Sequence, residues 1–318
     1  MGFSTGWQLY FLLPLSLPLF PLPPMSQSAD SIRQAAVLLE ALPYIQNFRG
    51  QTFLIKVGGS AMEEQSLVDS LLRDIVFLEA VGINPVLVHG GGKAINKAMK
   101  DAGLEARFVG GLRVTDDATI SIVEETLARV INPDLVERIK SAGGKAIGLA
   151  GTTVFRGQRM KGTDPATGEA VDIGYVGEVV ECDTSIVDLA VAGEVVPVVS
   201  PVAREIGSRA TLNVNADIAA CALAKKLKAT KLIFLSDVLG VMRDPKDNST
   251  LIPSLNPTAI DQLKREGIIS GGMIPKVDSA VDSLRGGVGK VHMIDGRIPH
   301  SVILECFTDT GIGTEIVL

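Results

Sequence analysis

Two stretches of the 318-residue chain set lysine and glycine at the ends of apolar runs, Phe53-Leu-Ile-Lys-Val-Gly-Gly59 and Val86-Leu-Val-His-Gly-Gly-Gly-Lys-Ala-Ile95. In the second, a strand-like run passes through three glycines into a helix-like segment, which leaves backbone N–H groups aimed at whatever lies ahead. Negative charge belongs there. It is either the oxyanion of an acyl transfer, for which esterases carry an HGGG-type loop, or a phosphoryl group. An esterase needs a serine on a G-x-S-x-G elbow after that loop, followed by an acid and a histidine. Gly2-Phe-Ser-Thr-Gly6 matches the elbow, but it precedes the loop and follows no strand-like run, and His292 and His300 have no elbow serine to serve. A Walker-type loop is absent because Gly92-Lys93 is followed by Ala94, and Lys56-Val-Gly-Gly-Ser-Ala has the wrong spacing for a dinucleotide fingerprint. A phosphate cradle of another kind remains.

The surrounding sequence prescribes the scaffold. Strand-like FLIKV is followed by a helical pattern through LVDSLLRDIVFLEAVG, then strand PVLVH, a helix from Ala94 and a long helix from Asp117 to about Ala142. This alternation predicts an α/β chain with a mainly parallel central sheet and helices on both faces. Between Thr152 and Glu181, short β-branched pieces separated by turn residues predict hairpins on the edge of that sheet. VVPVVS, a helix from Asn215, KLIFLSD, helices from Asn256 and Pro275, and strand KVHMI complete the pattern. A net charge of -6, with no basic run interleaved with aromatics, argues against nucleic acid as a partner and favours small molecules and other protein chains. Cys182, Cys221 and Cys306 are scattered without the spacing of a zinc site or a disulfide framework, and read as buried thiols of a reducing compartment, the cytoplasm.

The first 24 residues are rich in Leu, Phe and Pro and carry no Lys or Arg. Prolines 14, 18, 21, 23 and 24 would break a membrane-spanning helix, so the segment reads as a disordered extension with Met25 the working initiator. A degenerate export signal is the alternative. From Ala29 to Tyr44, Ile32, Ala35/Ala36, Leu39 and Leu42 recur at helical spacing, which predicts an amphipathic helix kinked or ended near Pro43.

Taken singly, each candidate residue has a plain structural reading. Lys56 is then a strand-end lysine, Asp217 a helix cap and Arg113 a salt-bridge residue, while Lys93, Lys97 and Lys100 form the solvated face of their helix. The ordered set argues otherwise. Lys56-Val-Gly-Gly59, His89-Gly-Gly-Gly92, Gly111-Leu-Arg-Val-Thr115, Asn213-Val-Asn-Ala-Asp217, Leu235-Ser-Asp-Val-Leu-Gly240 and Gly272-Met-Ile-Pro-Lys276 together resemble the acetylglutamate kinases of the amino acid kinase family, in order from about Ala29 to the C-terminus.

That resemblance implies transfer of the γ-phosphoryl of ATP to the side-chain carboxylate of N-acetyl-L-glutamate, a step of arginine biosynthesis by the acetylated route. The acceptor is already ionised at neutral pH, so no general base is required and His89 reads as structural. The resemblance assigns Lys56 and Lys276 to the phosphoryl oxygens and Asp217 to holding the two ammoniums. Gly58, Gly59, Gly91 and Gly92 would let backbone N–H groups approach the migrating group. Arg113 would bind the substrate's α-carboxylate bidentately, and Asn213 and Asn215 its polar groups. Ser236, Asp237 and Gly240 are implied to line the nucleotide pocket. Mg²⁺ would arrive with ATP, without a protein-held metal. Relatives acting on other carboxylate or phosphate acceptors, and a catalytically silent ligand sensor on the same fold, are the competing readings.

The resemblance extends to the fold and to control. It implies a three-layer αβα sandwich of two lobes, residues 49–228 for the acetylated substrate and dimerisation and 229–318 for the nucleotide, behind an extension over 1–28 and an oligomerisation helix over 29–48. Such a helix resembles the one that interlaces dimers into a ring in arginine-inhibited members, implying a hexamer built as a trimer of dimers. The run His300-Ser-Val-Ile-Leu-Glu-Cys-Phe-Thr-Asp-Thr-Gly-Ile-Gly-Thr314 resembles the arginine-site signature of that subgroup. Glu305 would then meet the guanidinium of L-arginine, with carbonyls around Gly311 and Gly313 taking its other N–H groups. No residue pattern speaks for or against a PII signalling protein as a partner, and none calls for a membrane.

Overall fold

Along Thr52–Val57 the side chains alternate between two destinations. Phe53, Ile55 and Val57 pack into one apolar layer and Leu54 into another, as a strand must when helices cover both of its faces. The computed structural model describes residues 25–164 and 167–318, apart from the side chains of 25–28, 60 and 61. The extension over 1–24, the elbow-like match at Gly2–Gly6, and Pro165 and Ala166 of the DPATGE turn lie outside the described residues.

In chain order, α1 (Met25–Phe48) precedes β1 (Thr52–Val57), α2 (Gln65–Ala80), β2 (Asn84–His89) and α3 (Gly92–Asp101). A small hairpin of β3 (Phe108–Val109) and β4 (Leu112–Arg113) leads to α4 (Asp117–Glu124), a π turn (Glu125–Ile131) and α5 (Asn132–Ser141). Next come β5 (Ala146–Leu149), α6 (Gly151–Val154), β6 (Phe155–Thr163), β7 (Ala170–Cys182), α7 (Ser185–Ala192), β8 (Val196–Val199), β9 (Val202–Glu205), β10 (Thr211–Val214) and α8 (Ala216–Leu227). The chain ends with β11 (Lys231–Ser236), β12 (Ser254–Leu255), α9 (Pro257–Arg265), α10 (Met273–Arg285), β13 (Lys290–Asp295), α11 (Ser301–Cys306) and β14 (Thr314–Ile316).

Eight strands form one sheet in the order β12-β14-β13-β11-β1-β2-β8-β5, parallel except where β13 meets β14. Residues of α2, α5 and α11 build the apolar layer on one face, and those of α8, α9 and α10 the layer on the other. The expected three-layer αβα sandwich is therefore present. The described chain divides into two units at Leu42, and all eight strands of the sheet belong to Pro43–Leu318.

Three local expectations change. The hairpin region does not stand on the edge of the main sheet: β6 and β7 join β9 and β10 in a closed four-stranded barrel. Register shifts between Arg156 and Gly157 and between Arg159 and Lys161 interrupt the β6–β7 ladder, and bulges of this kind bend a ribbon. The long helix after Asp117 runs unbroken but widens into the π turn midway. Helix α1 starts at Met25 rather than near Ala29 and continues through Pro43 to Phe48. Tyr44 and Phe48 account for the continuation, because their rings pack on Phe307 and, for Phe48, on Phe53, which holds the last turns helical despite the missing N–H of Pro43. Earlier in the helix, Ile32, Val37, Leu38, Leu39 and Leu42 are all exposed.

Candidate active site

Lys56 leaves β1 on the same face as Leu54, two residues earlier. Leu54 belongs to the apolar layer that contains Ala219, Ala220 and Leu223 of α8. At Lys56 that layer ends, and Asp217 in the first turn of α8 replaces it, with Lys56 Nζ 2.8 Å from Asp217 Oδ1. The geometry is that of a charge contact, since this buried Oδ1 receives no directed hydrogen bond. Asn215 caps α8, its Oδ1 accepting from the N–H groups of Asp217 at 2.8 Å and Ile218 at 3.4 Å, which fixes the turn that carries Asp217.

Glycine is required around this pair for reasons of space. A Cβ on Gly58 would lie 2.8 Å from Lys56 Nζ, so a larger residue there would push the end of the lysine aside. Gly59 has φ 67°, and a Cβ there would lie 2.6 Å from Asp237 Oδ1. The two glycine loops meet where the Gly90 N–H donates to the Val57 carbonyl at 2.7 Å. Gly91 and Gly92 then start α3, whose first N–H groups have no partner within the helix.

Arg113, at the end of β4, is only 7% exposed and has no carboxylate partner among the described residues. Its guanidinium donates to the Gly92 carbonyl at 3.2 Å, approaches Met99 Sδ at 3.3 Å and lies 4.8 Å from the centre of the Phe108 ring. Desolvation pushes its pKa down. A buried cation without a counter-charge is costly to the chain alone and is relieved by an anion placed beside it. Beside it, Thr115 Oγ1 donates to the Arg113 carbonyl at 2.8 Å and accepts from Asn213 Nδ2 at 3.1 Å, which links β4 to β10.

These residues converge. Lys56, Gly58, Gly59, Gly91, Gly92, Arg113, Asn213, Asn215 and Asp217 share one cavity of about 230 Å³, with Phe108, Ile95 and Leu127 as its apolar wall. Lys56 and Asp217 also border a narrow crevice on their other side, together with Ser236, Met273 and Lys276. The pair thus stands between two spaces. Of the expected nucleotide residues, Ser236 lines the crevice, Asp237 sits against Gly59, and Gly240 packs on Thr314, whose Oγ1 would be 2.4 Å from a Cβ at that position. Among the described residues no group of three or more His, Cys, Asp or Glu is placed to hold a metal ion, and no helix is long and apolar enough to cross a membrane.

Glu305, the residue expected to meet the guanidinium of L-arginine, is 7% exposed and engaged within the chain. Its Oε1 accepts from His292 Nδ1 at 2.6 Å, and its Oε2 accepts from the N–H groups of Ile312 at 2.7 Å and Gly313 at 3.0 Å. Gly311, with φ 61°, makes room for it, since a Cβ there would stand 2.7 Å from Oε2. Lys231 Nζ lies 3.2 Å from His292 Nε2, so a neutral ring donates to the carboxylate and accepts from the ammonium. Burial would raise the Glu305 pKa, but these hydrogen bonds outweigh it and hold it low, while burial pushes that of His292 down. The cause of the inward turn is local: Oε2 is needed to satisfy two backbone N–H groups of the 311–313 turn.

Sequence reasoning did not single out Phe108, Met99 or Asn132, nor the Lys231–His292 partners of Glu305. Apolar or amide side chains at such positions resemble ordinary packing residues until the fold brings them together. The motifs with glycine and lysine at strand ends were the stronger signal.

A profile of the amino acid kinase family matches residues 51–295. The chain is 56% identical over 286 residues to an acetylglutamate kinase of Akkermansia muciniphila, covering 90% of this chain and 96% of that one. It is 46% identical to an acetylglutamate kinase of Heliobacterium modesticaldum, covering 90% and 99%. In three dimensions it resembles an N-acetylglutamate synthase of Neisseria gonorrhoeae complexed with coenzyme A and N-acetyl-glutamate, with a TM-score of 0.77 at 26% identity. That match covers 89% of this chain but only 63% of the longer synthase chain. The strand-end lysine on its helix-borne aspartate, the glycine loops joined across two neighbouring strands and this near full-length likeness agree: the chain belongs to the amino acid kinase family, in its acetylglutamate kinase branch.

Proposed function

We infer that the chain phosphorylates the side-chain carboxylate of N-acetyl-L-glutamate from ATP, a step of arginine biosynthesis. The observation that carries this reading is the Lys56–Asp217 pair between two spaces, one of which holds a buried guanidinium without a carboxylate. The acceptor's α-carboxylate would complete the charge of Arg113, with Asn213 and Asn215 meeting its polar groups. Its side-chain carboxylate then lies toward Lys56 and the glycine loops. ATP, accompanied by Mg²⁺ as part of the substrate, would enter from the Ser236–Lys276 side, so that the γ-phosphoryl meets Lys56 and Lys276. Catalysis on this reading is positioning and charge neutralisation, with no proton to abstract. Hydroxylamine trapping tests it: the purified chain with ATP, Mg²⁺ and N-acetylglutamate gives an acyl hydroxamate, and turnover of unacetylated glutamate alone would refute the assignment.

Feedback inhibition by L-arginine of a hexamer is part of the same proposal. The exposed Ile32, Leu38, Leu39 and Leu42 of α1 support it, because an apolar helical stripe of this kind is buried by a two-fold mate. A related synthase structure is a complex with L-arginine. In this proposal Glu305 pairs with the guanidinium of the inhibitor, and the carbonyls around Gly311 and Gly313 accept its other N–H groups. Deleting residues 25 to 48 is expected to abolish both the hexamer and the inhibition, read by light scattering and by kinetics with added arginine. A dimer indifferent to arginine before any deletion would remove this regulatory part and leave the kinase assignment standing.

A further inference from the structure

His89 ends β2, opens the second glycine loop and is completely buried. Its Nδ1 lies 2.9 Å from the Gly90 carbonyl oxygen and its Nε2 lies 3.2 Å from Asn132 Nδ2. The same Asn132 nitrogen donates to the Val198 carbonyl at 2.8 Å, which fixes the orientation of the amide. An amide nitrogen only donates and a carbonyl oxygen only accepts. Both contacts therefore require one tautomer, with the Nε2 lone pair accepting from Asn132 and the Nδ1–H donating to Gly90. Burial keeps the ring neutral, with its pKa pushed down to about 4.

The surroundings leave little freedom for another arrangement. Asn132 stands where the π turn passes into α5, opposite Gly148, where a Cβ would lie 2.2 Å from its Oδ1. A Cβ on Gly91 would stand 2.6 Å from both Leu127 Cδ2 and Ile131 Cδ1, two side chains of the π turn. Gly90 is held at its other end by the bond from its N–H to Val57, the residue after Lys56.

We propose that His89, held by Asn132, is a positioning residue for phosphoryl transfer: its Nδ1–H fixes the Gly90 carbonyl and thereby sets the Gly91 and Gly92 peptide units against the Lys56 loop. The ring carries no proton to or from substrate. It acts as a hydrogen-bonded rivet between the two glycine loops, and this role rests on the kinase reading above.

Two substitutions separate the role from simple core filling. His89→Asn places an amide nitrogen where Nδ1 stands, whereas His89→Gln places its amide oxygen where Nε2 stands, to accept from Asn132, and leaves the Gly90 carbonyl without its donor. With kcat, both KM values and urea midpoints measured on the full chain, His89→Asn is expected to keep kcat within about threefold of the parent. His89→Gln is expected to lower kcat by up to about a hundredfold, the scale of an about 1 Å misplacement, with KM for ATP unchanged. Equal kcat losses in the two variants, following their urea midpoints, would overturn the proposal. Nitrogen-15 spectra of the imidazoles provide a reading independent of turnover. The resonance pair lost in both variants is expected to be that of a neutral Nδ1–H ring at neutral pH, and an Nε2–H ring or an imidazolium there refutes the proposal. A parent chain with the expected tautomer and no acyl phosphate product would instead overturn the kinase reading on which the proposal stands.

Discussion

Arg113 and Glu305 are buried to the same degree, each 7% exposed, yet the chain treats the two charges in opposite ways. Glu305 meets a histidine and two backbone N–H groups, and both of its oxygens are occupied. Arg113 meets a carbonyl, a thioether and the face of a phenylalanine ring, none of which cancels a positive charge. One charge is part of the architecture, and the other has no counter-charge among the described residues. Burial alone separates neither from the other; what distinguishes them is whether the counter-charge is supplied from within the chain.

The largest expected effect lies on the open side of this contrast. Lys56→Met or Lys276→Met removes charge from the transferring phosphoryl group and is expected to lower kcat by about a hundredfold or more. Hydroxamate formation under saturating substrates measures it, and near-normal turnover in either variant means the site is misplaced.

The second test sets the two buried charges against each other. Arg113→Met is expected to raise KM for the acetylated substrate about ten- to a hundredfold while leaving thermal stability unchanged or higher, because it removes a desolvated charge that no carboxylate among the described residues neutralises. Glu305→Ala orphans His292 and the 311–313 turn, and is expected to cost about 3 kcal/mol in urea unfolding with kcat nearly preserved. If Arg113→Met destabilises as much as Glu305→Ala, the contrast fails.

The smallest effects come from the glycine beside each site. Gly58→Ala crowds only the flexible end of Lys56, and is expected to reduce kcat about tenfold with little change in stability. Gly311→Ala forces a left-handed backbone onto alanine and presses on a carboxylate already engaged, and is expected to cost about 1–2 kcal/mol of stability with activity kept. Calorimetry and steady-state kinetics on the same preparations show whether each loss falls on its own side.

The same contrast explains what was legible in the sequence. Lysine and glycine at the end of an apolar run specify a strand end and an accessible backbone from a few consecutive residues, so Lys56, Gly58 and Gly92 could be read locally. The strand and helix alternation gave the sandwich for a similar reason. Asn132 could not be found this way, because its partners His89 and Val198 lie 43 and 66 residues away. Glu305 was recognised as special through the C-terminal run, but its His292 partner is invisible until β13 and α11 are packed together. The closed barrel escaped for want of register: hairpin signals specify adjacent strands, and the parallel β7–β10 pairing that helps to close the ring is not a local property.

The place of β1 in the sheet also bears on how the chain reaches its native state. One edge of β1 pairs with β2, the next strand in the sequence, so a first βαβ unit is available as soon as residues 52–89 have left the ribosome. Its other edge pairs with β11, more than half the chain later, after the barrel and α8 have been made. Until then an apolar strand with unsatisfied backbone groups stands exposed on one flank, which is the arrangement most prone to pairing with a neighbouring nascent chain. The strand that carries the central lysine is thus also the one that most needs shielding during synthesis.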